Sequence, residues 1–513
     1  MKNFSLENIL TEKLSKISKN DIIAYLGVLF FSFLSFGQFA FDFAYNNDGI
    51  GRLISKDGVT LFKLKTYIAG FQKGRWAYPF FENLYNSITS LPFPITVISI
   101  FLFLLISIII WKIFKITNVY QQIITGGLIS SSPIFTHYFF YSGDAEVYAT
   151  GMLLISISVL LFTSSKKINN GLGILLSVIG LACYPALFAY STSLICLYAL
   201  QLFFKKESLK DFFLETFKLL FLSFLSLIVY FVITKVTVAL LGLKMVSYKN
   251  AESISPIELL KNLPEKLILT YYLFIDFFKR ADFWVKSYFL ISTLLLIFSV
   301  YKRNIKHIPV FITALIACIP LTFVMYLITF EHKAYQGFQF GFILIIALLH
   351  APLINSNNKW IKNILFIIPV IILFTNIKTT NQIMVKYRLN CESSRLLSYS
   401  IINDIQKNPE FINTKRIAVI GHIIDNDNFK TSKYVPKTTV LNGMNYPAAF
   451  AGSNVWVKFR NQTYLQGFDF TYAETEETNE IETLFKDKNI PEYPKVGSIF
   501  SYKDLIVVNL GQK

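Results

Sequence analysis

Long apolar runs alternate with short polar segments along most of this chain. A helix needs about 20 apolar residues to cross the hydrocarbon core of a bilayer, so the pattern predicts a mainly α-helical, polytopic membrane protein with about eleven spans. The third span is the weakest, because Gly126, Gly127 and Pro133 interrupt it. The predicted spans lie near residues 22–42, 93–115, 119–140, 146–164, 171–186, 187–204, 212–241, 286–301, 308–330, 337–354 and 363–380.

Basic residues flank these spans in a regular way. Lysine and arginine in short loops favour the cytoplasmic side of a membrane. With about eleven spans, the six basic groups named below all fall on one side. This predicts a cytoplasmic N-terminal segment (residues 1–21, too polar for a cleavable signal) and an external C-terminus. The groups are Lys13, Lys16 and Lys19; Lys112 and Lys115; Lys166 and Lys167; Lys205, Lys206 and Lys210; Lys302, Arg303 and Lys306; and Lys359 and Lys362.

Charged and polar residues return beyond residue 380, and residues 381–513 are predicted to form a small extracytoplasmic α/β domain. The patterns predict helices at 392–406 and 476–485, a buried strand at 416–421, and a terminal hairpin of strands 498–502 and 505–510. The transmembrane domain, residues 22–380, has predicted external segments at 43–92, 141–146, 242–285 and 331–337. Residues 257–278 show the amphipathic pattern of a helix lying in the membrane interface.

Composition agrees with a membrane protein. Hydrophobic residues make up 53% of the chain and charged residues only 16%, against about a quarter charged in soluble proteins. The net charge of +17 is explained by the basic loops. No soluble segment shows the basic stripe with interleaved aromatics that binds nucleic acid. The cysteines and histidines have neither disulfide nor zinc spacing. The sequence specifies no cofactor and leaves a divalent metal open.

The first external segment carries candidate chemistry. Asp42 and Asp48 follow the first span, and Arg52 and residues 73–76 come next. A part-buried carboxylate near an acceptor hydroxyl can act as a general base, and arginine or lysine can hold a phosphate. Alternatively, Asp48 caps a turn in Asn-Asn-Asp-Gly, which spacing alone favours. The candidate phosphate- or substrate-binding residues of the chain are Arg52, Lys73, Arg75, Trp76, His332 and Lys333.

Two further polar segments interrupt the apolar pattern. Asp144 and Glu146 lie between two spans, where an acidic residue commonly caps the following helix. They would join a site with Asp48 only if the two loops meet. The Glu-His-Lys segment at 331–333 either binds a lipid phosphate or anchors its helices, and anchoring is the slightly better interpretation.

Several of these segments together resemble one family, the bacterial serotype-converting O-antigen glucosyltransferases. Residues 45–52 resemble the family's Asp-Asp-x-x-Arg loop, and residues 73–76 resemble its following Gly-Arg segment. Asp144, residues 183–186 and residues 493–499 also have counterparts there. The chain departs from the family pattern at one place. It has Asn47-Asp48 where the family often has two adjacent acidic residues.

The resemblance implies a membrane glycosyltransferase of the GT-C class in the bacterial inner membrane. Such an enzyme moves a sugar, usually glucose, from a polyprenyl-phosphate carrier to a surface polysaccharide such as the O-antigen of lipopolysaccharide. Asp48 would be the base. Asp144 and Glu146 would orient the acceptor or raise the pKa of Asp48. Arg52, Arg75 and Lys73 would stabilise the leaving phosphate. Trp76 would stack on a sugar or anchor the interface.

Three other classes of protein remain open on the sequence. A polysaccharide polymerase or ligase also acts outside on lipid-linked sugar, and it would be distinguished by its independence of a polyprenyl-phosphate monosaccharide. A flippase for lipid-linked sugar would need polar residues along a path within its spans, whereas the spans here are largely apolar. A structural anchor for the C-terminal domain would not need so many spans.

Overall fold

The computed structural model describes residues 18–41, 64–88, 92–140, 144–164, 166–205, 208–245, 256–327, 340–353, 359–409, 416–421, 459–460, 463–464, 466–468, 470–485 and 488–511. Most of these residues are helical, and a small β-sheet lies near the C-terminus. Of the predicted site residues, Asp48, Arg52, His332 and Lys333 lie outside the described residues, as does Asp42.

The helices follow the apolar runs closely. Several begin at the polar residue that caps them: Ser18 and Asp21 form a reciprocal capping box at the first helix, and Asn118, Ser208 and Asp282 each accept a bond from a first-turn N–H. The helices are α1 (Lys19–Phe36), α2 (Leu64–Gln72), α3 (Tyr78–Ile88), α4 (Pro92–Phe114), α5 (Val119–Ser130), α6 (Thr136–Phe139), α7 (Asp144–Phe162), α8 (Lys167–Cys183), α9 (Phe188–Lys205), α10 (Leu209–Leu240), α11 (Pro256–Arg280), α12 (Phe283–Arg303), α13 (Ile308–Thr322), α14 (Val324–Leu327), α15 (Phe340–Leu348), α16 (Lys359–Gln406) and α17 (Thr475–Phe485).

The chain is a membrane protein. Within the described residues, 8 helices are long and apolar enough to cross a bilayer, and Lys167–Cys183 and Phe340–Leu353 are shorter apolar helices. Every predicted span overlaps at least one helix, but the count of about eleven stays a prediction. The third predicted span, 119–140, is the clearest difference. Its helix α5 stops at Ser130, and a short 3₁₀ turn, Pro133–Phe135, precedes α6.

The last predicted span and the first predicted helix of the C-terminal domain are one continuous helix. The sequence pattern predicts a span at residues 363–380 and a separate helix at residues 392–406, whereas α16 runs unbroken through both. No glycine or proline occurs between Pro369 and Pro409 to stop it. The separate helix predicted at 392–406 is therefore wrong as a separate element, although its residues are helical.

The chain divides into two compact units. The first comprises Met1–Ala40, Val59–Phe135 and Gly143–Thr380, and the second comprises Phe41–Gly58, Thr136–Ser142 and Asn381–Lys513. The first unit holds the helices that line the candidate site. Its α7 and α8 pack closely because glycines meet at their crossing, where a Cβ on Gly180 would lie 2.9 Å from the carbonyl oxygen of Gly151. Small residues allow such close approach in membranes.

The second unit contains a four-stranded sheet in the order β2-β1-β4-β3. Its strands are β1 (Arg416–Ile420), β2 (Thr471–Tyr472), β3 (Ile499–Tyr502) and β4 (Leu505–Asn509). Strands β2, β1 and β4 are parallel, and β3 pairs with β4 as an antiparallel hairpin. The predicted strand at 416–421, the hairpin and the helix at 476–485 are confirmed.

Helices cover this sheet on both faces. On one face Ile417 and Val419 pack against Ile401 and Ile405 of α16. On the other face Ala418, Ile420 and Val507 pack against Ile481 and Phe485 of α17. Apart from Arg416 and Asn509 at their ends, both central strands are apolar, as expected for strands buried on two sides. The domain boundary at residue 381 and the external location stay predictions.

Candidate active site

Residues 73–77 connect α2 to α3 and are fixed by their neighbours. Gly74 adopts a left-handed conformation with φ of 68°, and its carbonyl accepts a 2.6 Å bond from the Tyr230 hydroxyl of α10. A Cβ at position 74 would lie 2.5 Å from that hydroxyl, so the position requires glycine. The N–H of Ala77 donates to the carbonyl of Ala182 on α8 at 3.2 Å. The Lys-Gly-Arg-Trp segment is thus held against both α8 and α10.

Trp76 contributes to this anchoring. Its indole N–H donates to the Thr234 hydroxyl of α10 at 3.3 Å. Its ring stacks on Phe71 with a centroid distance of 6.4 Å and an interplanar angle of 17°. The side chain is only partly buried. Trp76 therefore holds the segment on α10 while part of its surface stays accessible.

Arg75 lies over an aromatic stack. Its guanidinium carbon is 4.6 Å from the ring centroid of Tyr184, which directly follows α8. Tyr184 in turn stacks on Tyr148 of α7, with centroids 4.5 Å apart and an interplanar angle of 23°. A cation over an aromatic face is attracted by the ring quadrupole. Two tyrosine rings therefore connect the Arg75 cation to the start of α7.

Asp144 is the first residue of α7, and its side chain is buried. Its Oδ1 accepts a hydrogen bond from the Tyr78 hydroxyl, and its Oδ2 accepts one from the Tyr148 hydroxyl at 3.3 Å. The Tyr78 hydroxyl also lies 3.5 Å from Oε1 of Glu82 on α3. Both carboxylate oxygens of Asp144 are thus engaged by phenols, and one of those phenols bridges to a second carboxylate.

Glu146 occupies a different environment from Asp144. Both residues lie in the first turn of α7, and residues two apart on a helix do not face each other. Thr150 donates to the Glu146 carbonyl at 2.8 Å and contacts the Tyr85 hydroxyl at 2.5 Å. Because the single Thr150 proton is used, Tyr85 is the donor in that contact.

The protonation of Tyr85 fits this role as a donor. Burial raises the pKa of its phenol, and the nearby Glu146 carboxylate adds to that rise. The phenol therefore keeps its proton at neutral pH. Tyr85 and Thr150 form a part-buried polar contact between α3 and α7, near the Glu146 carboxylate.

The structure brings together some of the predicted site residues and separates others. Arg75 and Asp144 belong to one cluster, which is joined by tyrosines. Trp76 anchors that cluster to α10, while the side chain of Lys73 is exposed. The prediction that Asp144 and Glu146 both lie in a segment between two spans is wrong in one respect. Asp144 and Glu146 are already helical and have different neighbours.

The family of the chain follows from a comparison with protein families. The model described as glucosyl transferase GtrII matches residues 37–349, which is more than half of the chain. The chain belongs to the glucosyl transferase GtrII family. No curated protein and no solved structure matches the chain significantly. The matched region contains every predicted site residue, including those outside the described residues.

Membership of the GtrII family identifies a membrane glycosyltransferase and gives the cluster a chemical context. Glycosyl transfer needs a base for the acceptor hydroxyl and positive charge for the departing group. Arg75 supplies a positioned cation, and Asp144 organises the phenols beside it. Within the part of the chain that the structure describes, no group of three or more His, Cys, Asp or Glu side chains is placed to hold a metal ion.

Several residues of the cluster were not predicted from the sequence. Tyr148 lies four residues after Asp144, and this spacing on one helix face was a readable signal. Tyr184 was noted only as part of residues 183–186. Glu82 and Tyr230 gave no local signal, because their contacts with Tyr78 and Gly74 depend on the packing of distant segments.

Proposed function

We propose that this GtrII-family protein transfers glucose from a polyprenyl-phosphate carrier to a surface polysaccharide such as O-antigen, on the external face of the bacterial inner membrane. The observation that carries the proposal is the Arg75 guanidinium held over Tyr184, next to the Asp144–tyrosine network. This arrangement places a cation and a buried carboxylate in one cluster within a membrane-embedded unit.

Arg75 is proposed to bind the phosphate of the carrier. The guanidinium is held by its ring contact, and its planar fork matches phosphate oxygens in a bidentate manner. As the bond between the anomeric carbon and the phosphate oxygen breaks, negative charge grows on the departing polyprenyl phosphate. A cation already in place stabilises that charge without reorganisation. Arg52, Lys73, His332 and Lys333 are proposed to add positive charge around the same phosphate.

Asp48 is proposed as the base that accepts the proton of the acceptor hydroxyl. Asp144 is less suited to that role, because both of its oxygens already accept bonds from Tyr78 and Tyr148. Its proposed role is to orient these phenols, which lie between α3, α7 and the Arg75 stack. Thr150, whose hydroxyl donates to the backbone carbonyl of Glu146, is proposed to hold α3 against α7 through Tyr85, with the Glu146 carboxylate nearby. Trp76 offers its accessible surface to a sugar.

The test is a transfer assay in membranes that contain the full chain. It uses radiolabelled polyprenyl-phosphate glucose with purified surface polysaccharide, and it compares the wild type with Asp48→Asn and Arg75→Gln. We expect label transfer by the wild type, and a loss of about 100-fold or more in each variant. The matched control is Lys235→Gln, which removes an exposed cation from α10 and should transfer normally.

The outcomes separate the parts of the proposal. Full transfer by Asp48→Asn, inserted at normal levels, would move the base to another carboxylate. Full transfer by Arg75→Gln would remove the phosphate role. No transfer by the wild type, with activity on lipid-linked oligosaccharides instead, would favour a polymerase or ligase. Movement of the lipid-linked sugar across the membrane without transfer would favour a flippase.

A further inference from the structure

A cavity of about 490 Å³ lies between α9, α10 and α13, away from the candidate active site. This volume is within the range of small-molecule pockets, about 300–1,000 Å³. Its lining is nearly all apolar and includes Leu200, Phe213, Phe217, Ala314 and Leu321. Such a surface suits a hydrocarbon chain rather than a sugar or a nucleotide.

The cavity opens towards the lipid-facing side of the helices. Phe213 and Phe217 line it, yet they are 54% and 70% exposed. Both lie on α10, which is long and apolar enough to span the membrane. Apolar side chains exposed on such a helix contact lipid, so a hydrocarbon chain can enter the cavity directly from the bilayer.

Lysines outnumber acidic residues at one end of the cavity, where the first turn of α10 also carries Asp211. Phe212 of α10 and Pro309 of α13 line that end, and Lys210 and Lys306 precede them by two and three residues. Both helices begin there, so their N-terminal N–H groups and positive dipole ends lie at the same end as these lysines. The cavity therefore combines an apolar interior with a cationic mouth.

Helix α9, the third helix that lines the cavity, ends at the mouth. The partial negative charge at its C-terminus is neutralised by an arginine. Nη1 of Arg303 donates to the carbonyl of Phe203 at 3.0 Å and to the carbonyl of Phe204 at 2.6 Å. Both carbonyls belong to the last turn of α9. The C-terminal dipole of α9 is thus offset by a cation, and it does not oppose an anion at the mouth.

We propose that this cavity binds one acyl chain of an anionic glycerophospholipid, with the lipid phosphate at the mouth near Lys210 and Lys306. The occupant follows from the complementarity of charge and polarity. The apolar walls accept the hydrocarbon chain, and the lysines and the two helix N-termini attract the phosphate. A zwitterionic lipid would bind the same cavity more weakly, because the positive charge of its headgroup reduces the attraction to the lysines.

The carrier lipid of the transfer reaction is a poorer occupant. The cavity is lined by the first third of α10, whereas α10 contacts the candidate active site through Tyr230 and Thr234. From Phe212 at the mouth to Tyr230, α10 extends about 27 Å. A phosphate at the cavity mouth is therefore too far from Arg75 to be the leaving group. The lipid site is independent of the proposed function.

The test measures lipid retention by the full-length protein after purification in mild detergent. Native mass spectrometry would follow the binding of added phosphatidylglycerol, phosphatidylethanolamine and polyprenyl phosphate. The wild type should retain one phosphatidylglycerol per chain in preference to the other two. Lys210→Gln/Lys306→Gln should bind phosphatidylglycerol about 30-fold more weakly, because two cations near the headgroup are lost.

Matched variants separate the cavity from the general protein surface. Lys166→Gln/Lys167→Gln removes two exposed lysines at the start of α8 and should bind phosphatidylglycerol like the wild type. Ala314→Phe fills the cavity and should abolish retention, whereas Leu294→Phe, at a lipid-exposed position of α12, should not. Thermal melting without added lipid would check that each variant is folded.

Three results would overturn the proposal. One is equal retention of phosphatidylglycerol and phosphatidylethanolamine by the wild type. Another is phosphatidylglycerol binding that the double lysine variant leaves unchanged. The third is retention of polyprenyl phosphate in preference to phosphatidylglycerol, which would assign the cavity to the tail of the carrier.

Discussion

At the scale of single residues, the environment of Asp144 decides its role. A buried carboxylate needs hydrogen-bond donors, and Tyr78 and Tyr148 provide one to each oxygen. The contact with Tyr148 was readable from the sequence as an i, i+4 pair on one helix face. The contact with Tyr78 was not, because it joins residues 66 positions apart. Sequence could therefore nominate Asp144 but could not show what surrounds it.

Removing one phenol tests this organising role. In Tyr78→Phe the ring remains, but Oδ1 of Asp144 loses its donor, and the contact with Glu82 is lost as well. Because hydrogen bonds to a charged group contribute about 1.5–3 kcal/mol, we expect kcat/KM for glucose transfer to fall at least about tenfold. The measurement is the membrane transfer assay at varied donor concentration.

Tyr85→Phe is the matched control for that variant. It removes a hydroxyl from the same helix α3, but this hydroxyl contacts Thr150 rather than Asp144. We expect its transfer rate to stay within about threefold of the wild type, with at most about 1.5 kcal/mol less stability. Equal losses of transfer in the two variants would mean that Tyr78 acts only through the packing of α3.

At the scale of helices, two interactions set the positions of α7 and α8. Their close crossing depends on Gly151 and Gly180, which leave room for backbone contact. The C-terminal end of α7 is capped by Lys218 of α10, whose ammonium donates to the carbonyls of Phe162 and Ser164 at 3.1 Å each. Since α7 begins at Asp144 and α8 ends just before Tyr184, both interactions help to position the stacked rings of Tyr148 and Tyr184.

A single methyl group at the crossing should disturb that stack. In Gly180→Ala the new Cβ would lie 2.9 Å from the Gly151 carbonyl oxygen and 2.8 Å from Cγ1 of Ile155, so the helices must separate. We expect a loss of about 1–3 kcal/mol in the free energy of unfolding, together with weaker transfer, because Tyr148 and Tyr184 move apart. Unfolding of the purified full chain would be measured with heat or denaturant.

Gly171→Ala provides the comparison on the same helix. No atom lies within 4 Å of a Cβ at Gly171, and alanine favours a helix over glycine by about 1 kcal/mol. This variant should be as stable as the wild type or slightly more stable, with normal transfer. If both alanine variants behaved alike, the close crossing of α7 and α8 would not control the site.

Helix boundaries show where sequence patterns succeed and where they stop. Apolar runs with clear polar ends, such as those of α4 and α9, were predicted to within about three residues. The run at 119–140 was predicted as one span, although Pro133 and the preceding serines end the helix. Residues 381–391 were predicted to leave the helix on composition, but α16 continues through them. A change in polarity marks a change of surroundings, not the end of a helix.

At the scale of the whole molecule, the sequence predicted the two kinds of structure and the structure bears them out. Helices dominate the first unit, and a sheet covered by helices forms the second. The two central strands of the second unit were readable because residues 417–420 and 505–508 are continuous apolar runs bounded by polar residues or glycine. The orientation of the chain in the membrane is predicted on other grounds, namely the positions of basic residues in the short loops between spans.

That orientation can be measured with reporter fusions to the full chain. Alkaline phosphatase is active only outside the inner membrane, whereas green fluorescent protein folds readily only in the cytoplasm. The basic groups that follow α9 and α12 predict a cytoplasmic location for residue 206 and an external one for the C-terminus after residue 513. Phosphatase should therefore be active at 513 and inactive at 206, and fluorescence should show the reverse. Phosphatase activity at 206 together with fluorescence at 513 would invert the topology, and it would place the Arg75–Asp144 cluster on the wrong side for an external acceptor.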